Sequence, residues 1–201
     1  RIDEVRIWDD VRTQTEIQEN MHTELTGSES NLVAYYKMSD GSGTTLTDNS
    51  SNSNDGTLTN MVTSGWLSDW VTSYAPIGDL NSSYETDVEA IWKVSGTSAS
   101  DASDGLTMVV GTALTDANFA VFGNNNSAGT TIADVPSGVE ARSARIWQVD
   151  ESGTVAADVT IDISDVTDYT VTAGTASNYN CYLYTSPRPR DATLTRMASS
   201  A

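Results

Sequence analysis

Short strand-like runs separated by turn residues fill residues 88–185, and their spacing is what most constrains the fold. Between Val155 and Ile163 apolar residues alternate with polar ones, as expected for a strand with one buried face. Similar runs recur about every ten residues, with Gly- and Asn-rich clusters between them. Such spacing is typical of antiparallel sandwiches. The sequence therefore predicts an all-β chain with an Ig-like β-sandwich in its second half.

One segment near the N-terminus changes to a helical period. Thr13 and Glu16 have the T-x-x-E spacing of a capping box, and Gly27 supplies a stop signal. His22, the only histidine, is then expected at the side of the helix or in solvent. The face that packs inward is predicted to consist of Ile17, Met21 and Leu25.

The charge balance excludes several classes of partner. The chain carries 28 acidic and 10 basic side chains, a formal net charge of -18. Nucleic-acid binding needs a basic footprint, and anionic membrane surfaces repel acidic proteins. No apolar run is long enough for a membrane span. The acidity suits either a secreted protein that works with cations such as calcium or a protein that is simply highly soluble.

The periodic pattern lapses into Pro, Gly and Ser around residues 73–83. We therefore predict two domains, residues 1–75 and residues 76–201.

Several motifs in residues 1–70 occur in the order known from one family. They are D-E-V-R-I-W, E-I-Q-E-N-M, E-L-T-G, L-V-A-Y-Y, G-S-G-T-T-L-T-D and N-D-G-T-L. This part resembles the C-terminal part of laminin-G-like, concanavalin-A-like jelly-roll domains of bacterial surface proteins. The strands that precede these motifs in the family are absent. The resemblance thus implies an incomplete jelly roll, completed by the remainder of a longer chain or by neighbouring copies.

The second half is similar to a repeat found beside such domains in large secreted proteins of Bacteroidota. The similarity lies in V-F-G-N-N-N, in V-T-I-D-I-S-D and in the stretch from Gly129 to Val155. It implies a long, multi-domain, extracellular or cell-surface protein exported by the type IX system. Residues 76–201 are expected to be a truncated copy of that repeat.

The stretch from Ser39 to Asn60 is rich in Asp, Asn, Ser and Gly, and two interpretations of it stay open. Asp-rich turns of laminin-G-like jelly rolls often bind calcium, which prefers six to eight oxygen ligands. Alternatively, Asp and Asn side chains bond their own backbone and form turns. The spacing lacks the D-x-D-x-D-G pattern of a helix–loop–helix calcium site. The candidate Ca²⁺ ligands are Asp40, Asp48, Asn54 and Asp55.

Aromatic side chains near this stretch suggest a sugar-binding surface, because aromatic rings beside acid and amide groups suit carbohydrates. Most of the tryptophans lie in strand patterns and are expected in the core. The candidate stacking platforms are Trp66, Trp70 and Tyr35.

No set of nucleophile, base and orienting acid is evident, and no phosphate-binding or zinc motif occurs. We therefore expect a non-enzymatic segment of a long surface protein that forms a stalk, filament or adhesin. The alternative is a calcium-dependent module that binds glycans or surface glycoproteins, also as an appendage of a secreted polysaccharide-degrading enzyme.

Overall fold

The computed structural model describes residues 2–78, 86–100, 105–135, 137 and 141–161. Within them the chain forms antiparallel strand pairs and one short helix, which confirms the all-β prediction. The elements are β1 (Val5–Trp8), α1 (Gln14–Asn20), β2 (Leu32–Tyr36), β3 (Thr45–Leu46), β4 (Gly56–Thr57), β5 (Thr86–Ile91), β6 (Ser98–Ser100), β7 (Leu106–Val110), β8 (Phe119–Asn124), β9 (Thr130–Thr131), β10 (Arg142–Ser143), β11 (Trp147–Ser152) and β12 (Ala157–Ile161).

The N-terminal part is built on an antiparallel pair, β1 with β2. Val5 lies opposite Tyr36, and the register shifts between Ile7 and Trp8. A small core forms beside this pair. That core consists of Leu25, Leu32 and Tyr35, with Trp8 packed against it.

Helix α1 begins as the sequence predicts but ends earlier. Thr13 accepts a hydrogen bond from the Glu16 N–H, and the Glu16 carboxylate bonds the Thr13 backbone, so the capping box is confirmed. The helix has seven residues, none of them buried. The predicted inward face is wrong for Ile17 and Met21, which are 54% and 44% exposed. Only Leu25, beyond the helix end, joins the core.

The second part contains two three-stranded sheets that face each other. One has the order β11-β8-β5 and the other β12-β7-β6, and all their pairs are antiparallel. Apolar residues of both sheets meet in one core, because the inward-facing residues of each sheet alternate with outward-facing ones. This core consists of Ile91, Leu106, Met108, Val110, Ala120 and Phe122.

The outer face of the β11-β8-β5 sheet is also buried. Val88, Ala90 and Val121 form a second cluster there, with Trp92 and Phe119 packed at its margin. The N-terminal part lies against this face, since α1 is adjacent to β5. Gly78 is in the same place: a β-carbon added to it would lie 3.1 Å from Val121 Cγ1. The two parts of the chain are therefore packed together.

Three short strands, β3, β6 and β9, were not predicted. They lie in stretches that the sequence assigns to loops, because they are short and mostly polar, and β10 begins in another such stretch. The strand-like runs Y-T-V-T-A-G and N-Y-N-C-Y-L-Y-T lie outside the described residues. In the part of the chain that the structure describes, no helix has the length and apolar character needed to cross a membrane.

Candidate functional site

The Asx loop, which we define as residues 47–55, joins β3 to β4 and is organised by one buried carboxylate. Asp48 is only 6% exposed. Its Oδ1 accepts hydrogen bonds from the N–H groups of Tyr35 and Ser50, each at 2.8 Å. Its Oδ2 accepts from the Asn54 N–H at 2.7 Å and from the Ser50 hydroxyl at 2.8 Å. Both carboxylate oxygens are thus bonded to the protein itself.

These hydrogen bonds also fix the ionisation of Asp48. Burial by itself would raise the pKa of this carboxyl, because the charged form is desolvated. The backbone N–H groups of Tyr35, Ser50 and Asn54 and the Ser50 hydroxyl together outweigh burial and hold the pKa of Asp48 below its usual value. The group therefore remains a charged acceptor at neutral pH.

The same loop occupies the edge of β2 that faces away from β1. Asn49 donates its N–H to the Tyr35 carbonyl at 2.7 Å. Asn52 Nδ2 donates to the Leu32 carbonyl at 2.8 Å, and Asn54 Nδ2 donates to the Val33 carbonyl at 2.9 Å. Side-chain amides and one carboxylate thus make bonds that a neighbouring strand makes in a wider sheet.

The four candidate calcium ligands all lie in or beside this loop. Asp40 accepts hydrogen bonds from the Thr47 hydroxyl and N–H, and Asp55 Oδ1 accepts from the Asp48 N–H at 2.9 Å. These contacts agree with the turn-forming interpretation of the stretch. Among the described residues, no group of three or more His, Cys, Asp or Glu side chains is arranged to hold a metal ion. Calcium binding remains a prediction.

Tyr35 is fully buried. Its hydroxyl donates to Glu4 Oε2 at 2.5 Å and accepts from the Leu25 N–H at 3.3 Å. Burial, and then the hydrogen bond and charge of Glu4, raise the pKa of the Tyr35 hydroxyl far above its usual value. A ring without exposed surface cannot stack on a sugar, so its burial removes Tyr35 from the predicted ligand-binding set.

The two tryptophans of the predicted set differ in exposure. Trp70 is half-buried, and its Nε1 is buried without a hydrogen-bond partner among the described residues. Trp66 is 92% exposed, and its neighbour Leu67 is 61% exposed. Of the three predicted stacking residues, Trp66 is therefore the one whose ring faces solvent almost completely.

The tryptophan loop, which we define as residues 62–69, is held closed at its base. Val62 donates its N–H to Asp69 Oδ2 and accepts from the Asp69 N–H, both at 2.7 Å. At the tip, Ser68 donates its N–H to the Gly65 carbonyl at 3.1 Å. Trp66 and Leu67 lie inside that tight turn. The loop thus presents two large apolar side chains in a defined place.

His22 is buried where the two parts of the chain meet, so its predicted solvation is wrong. It is 7% exposed, and Nδ1 lies 3.0 Å from the Pro76 carbonyl oxygen. A carbonyl only accepts, so Nδ1 carries the hydrogen. Burial lowers the pKa of His22, and the bond to Pro76 opposes this only in part. Gly78 completes the contact by donating its N–H to the His22 carbonyl at 2.8 Å.

The amide groove is an open depression of about 580 Å³ beside the edge of β2. No motif in the sequence points to this groove, because its residues come from three separate segments. The available signal was the Asn content of the Asx loop, but nothing in the sequence places Asp9 or Asn31 beside that loop. The polar side chains that line it are Asp9, Glu29, Asn31, Ser51, Asn52 and Asn54.

Comparison with known proteins assigns the second half of the chain to a protein family. Residues 83–196, more than half of the chain, match the family model of a domain of unknown function, DUF8202. The chain belongs to the DUF8202 family. No curated protein and no solved structure matches it.

The DUF8202 region and the candidate site residues occupy different parts of the chain. The two facing sheets and their common core lie within residues 83–196. The Asx loop, the tryptophan loop and the amide groove all precede residue 83. Any binding function of these loops is therefore carried by residues outside the DUF8202 match.

Proposed function

We propose that this chain is a non-enzymatic structural or adhesive segment of a long, multi-domain extracellular surface protein. In this proposal residues 1–75 are the C-terminal part of a laminin-G-like jelly roll, and residues 76–201 are an Ig-like β-sandwich. The observation that carries it is the packed contact between the two parts. A stalk or filament transmits orientation from one module to the next only if successive modules do not rotate freely.

The contact has the close backbone approach that a fixed junction needs. Thr23 and Gly78 form an isolated parallel bridge, and Gly78 also lies against Val121 of β8. A β-carbon at residue 78 would also lie 3.2 Å from Asp150 Oδ2. A larger residue there must displace residue 78 from β8, and with it the backbone of Thr23 that residue 78 bridges.

The rigidity of this junction is testable by calorimetry on the whole chain. We expect the N-terminal part and the two facing sheets to unfold in one transition. Gly78→Leu should divide that transition into two, because the added side chain pushes the two parts away from each other. Gly111→Leu is the matched control, since no atom lies within 4 Å of a β-carbon at Gly111. Two transitions in the unmodified protein, or one unchanged transition in Gly78→Leu, would contradict a rigid junction.

The location is tested separately. Antibodies against the chain should label intact cells of the producing organism, and brief protease treatment of those cells should remove the label. Labelling that requires permeabilised cells would overturn the extracellular assignment.

The exposure of Trp66 favours a second candidate function, a glycan-binding module with or without calcium. Leaving a tryptophan ring in water forgoes about 2–3 kcal/mol of burial free energy, and the hydrogen bonds at the base of the tryptophan loop hold the ring there. Aromatic rings held in this way form stacking surfaces for sugars and for surface glycoproteins.

We expect Trp66→Ala to abolish retention on a neutral-polysaccharide column and to leave the melting temperature unchanged, because the ring contacts little of the fold. Trp70→Phe is the control, since its ring is half-buried. Each protein is run in calcium and in EDTA. Retention that EDTA removes supports the calcium-dependent form, and retention by Trp66→Ala contradicts the proposed site.

A further inference from the structure

The amide groove contains more free hydrogen-bond acceptors than donors, because each of its three asparagines donates to the fold through Nδ2 while its Oδ1 accepts nothing from the described residues. Asn31 Nδ2 donates to Asp10 Oδ2 at 2.9 Å. Asn52 Nδ2 and Asn54 Nδ2 donate to carbonyl groups of β2. All the partners are carbonyl or carboxylate oxygens, which only accept, so the orientation of each amide is fixed.

The side-chain oxygens of the same asparagines remain available as acceptors. Among the described residues, nothing donates to Oδ1 of Asn31, Asn52 or Asn54, and the Asp9 carboxylate has no hydrogen bond or ion pair. Glu29 adds a second negative charge, and hydrogen bonds from the turn at Thr26 and Gly27 hold it in place. Within the part of the chain that the structure describes, no basic side chain lines the groove.

The ligand that fits such a surface has several donors, no acceptor and a positive charge. We propose that the amide groove binds the guanidinium group of an arginine in a peptide segment of a partner. A guanidinium carries five N–H donors in a rigid plane and no acceptor. A sugar hydroxyl is a poorer match, because each one brings acceptor lone pairs that the groove has few donors to satisfy. This site is independent of the tryptophan loop and of the proposed structural function.

The size of the groove also favours an organic cation over a metal ion. Calcium requires six to eight oxygens that converge within about 2.3–2.6 Å of one point. The groove, at about 580 Å³, is far larger than one ion and is open to solvent. A guanidinium on a flexible side chain spans such a space and contacts acceptors on both walls.

The chain itself contains a candidate source. Residues 186–196, S-P-R-P-R-D-A-T-L-T-R, hold three of the ten basic residues of this acidic protein. They lie outside the described residues. In a second copy of the chain this segment offers arginine side chains whose positive charge is opposite to that of Asp9 and Glu29 in the groove.

The test is a titration of the full chain, labelled with ¹⁵N and followed by NMR, at low ionic strength. The probes are N-acetyl-arginine amide, the corresponding citrulline compound and an eleven-residue peptide of residues 186–196. We expect the arginine probe to shift the side-chain amide signals of Asn31, Asn52 and Asn54. Added salt should weaken the binding of this probe, because salt screens its charge. Citrulline, which has the same shape without the charge, should bind roughly tenfold more weakly or not at all.

Two variants at Asp9 supply the controls. Asp9→Asn should weaken binding roughly threefold, as expected for one solvent-exposed charge, and Asp9→Lys should abolish it. Neither change removes a hydrogen bond of the fold. Asp158→Asn and Asp158→Lys make the same charge changes on β12, at an exposed residue outside the groove, and should bind like the unmodified protein.

The outcomes separate the alternatives. Binding of the peptide tighter than that of the single arginine supports the proposal and identifies residues 186–196 as a segment that the groove recognises; equal binding supports the arginine site alone. The proposal is overturned if the groove amides do not shift, if citrulline binds as well as arginine, or if millimolar Ca²⁺ shifts the same signals and displaces the arginine probe.

Discussion

Asp48→Ala is expected to lower the free energy of unfolding by about 3 kcal/mol or more. The substitution leaves the N–H groups of Tyr35, Ser50 and Asn54 without their acceptor. It also releases the Asx loop from the edge of β2. Losing the acceptor for one buried donor costs about 1–3 kcal/mol, and three donors are affected at once.

Urea denaturation at neutral pH measures this effect. Asp48→Asn should lose most of the same stability. Each carboxylate oxygen of Asp48 accepts from a backbone N–H, so whichever oxygen the amide nitrogen replaces, a donor would then face a donor. Asp40→Ala is the control, since the Asp40 carboxylate bonds only Thr47 among the residues that the structure describes; its cost should stay below about 1 kcal/mol. Equal losses for Asp48→Ala and Asp40→Ala would show that Asp48 does not organise the loop.

The contribution of Asp48 should also depend on pH in a defined direction. Its pKa is lower in the folded protein than in the unfolded chain, so the unfolded state binds more protons in acid. The stability it supplies is complete above its unfolded pKa of about 3.9 and is lost as the pH falls through the folded pKa. The difference in stability between the unmodified protein and Asp48→Asn should therefore shrink below about pH 4.

Gly27→Ala should cost about 3–4 kcal/mol, the second large effect that the structure predicts. A β-carbon at residue 27 would lie 2.1 Å from the Asn49 carbonyl oxygen. That atom belongs to the backbone of the Asx loop and cannot turn away as a side chain can. The φ of Gly27 is +86°, so alanine adds conformational strain.

Gly43→Ala separates the two causes. Gly43 has a similar φ of +81° but no atom within 4 Å of the added carbon. Its substitution should cost only the conformational part, about 1 kcal/mol. Thermal or urea melts of both variants give the comparison. If the two losses were the same, the contact between Gly27 and the Asx loop would not contribute to stability.

Local patterns in the sequence predicted the elements that local forces determine. The capping box at Thr13 and Glu16 is formed by residues three apart in the chain, and β12 shows its alternation directly. β6 was missed because Ser98–Ser100 has no apolar pattern and becomes a strand only by pairing with β7. His22 could not be placed correctly, because the segment that buries it lies more than fifty residues later in the chain.

The candidate site was harder to predict than the fold. An Asp or Asn oxygen serves equally well in a turn, in a calcium site and in a strand contact, so composition alone left these uses open. What the structure shows for Asp48 depends partly on the position of β2, since Tyr35 supplies one donor, and Ser50 and Asn54 of the Asx loop supply the others. For Trp66 the sequence indicated only a break in periodicity, and its 92% exposure follows from the turn that holds it.

The occupied edge of β2 also limits how copies of this protein can associate. Strand addition, whether in a filament, a swapped dimer or an amyloid-like aggregate, requires a row of unpaired backbone groups to receive the new strand. The backbone groups on this edge of β2 are already hydrogen-bonded to the Asx loop, mostly to its side chains. The residues that make these bonds are Asp48, Asn49, Asn52 and Asn54. Strand addition is therefore blocked at this edge of β2, and any association of copies has to use other surfaces.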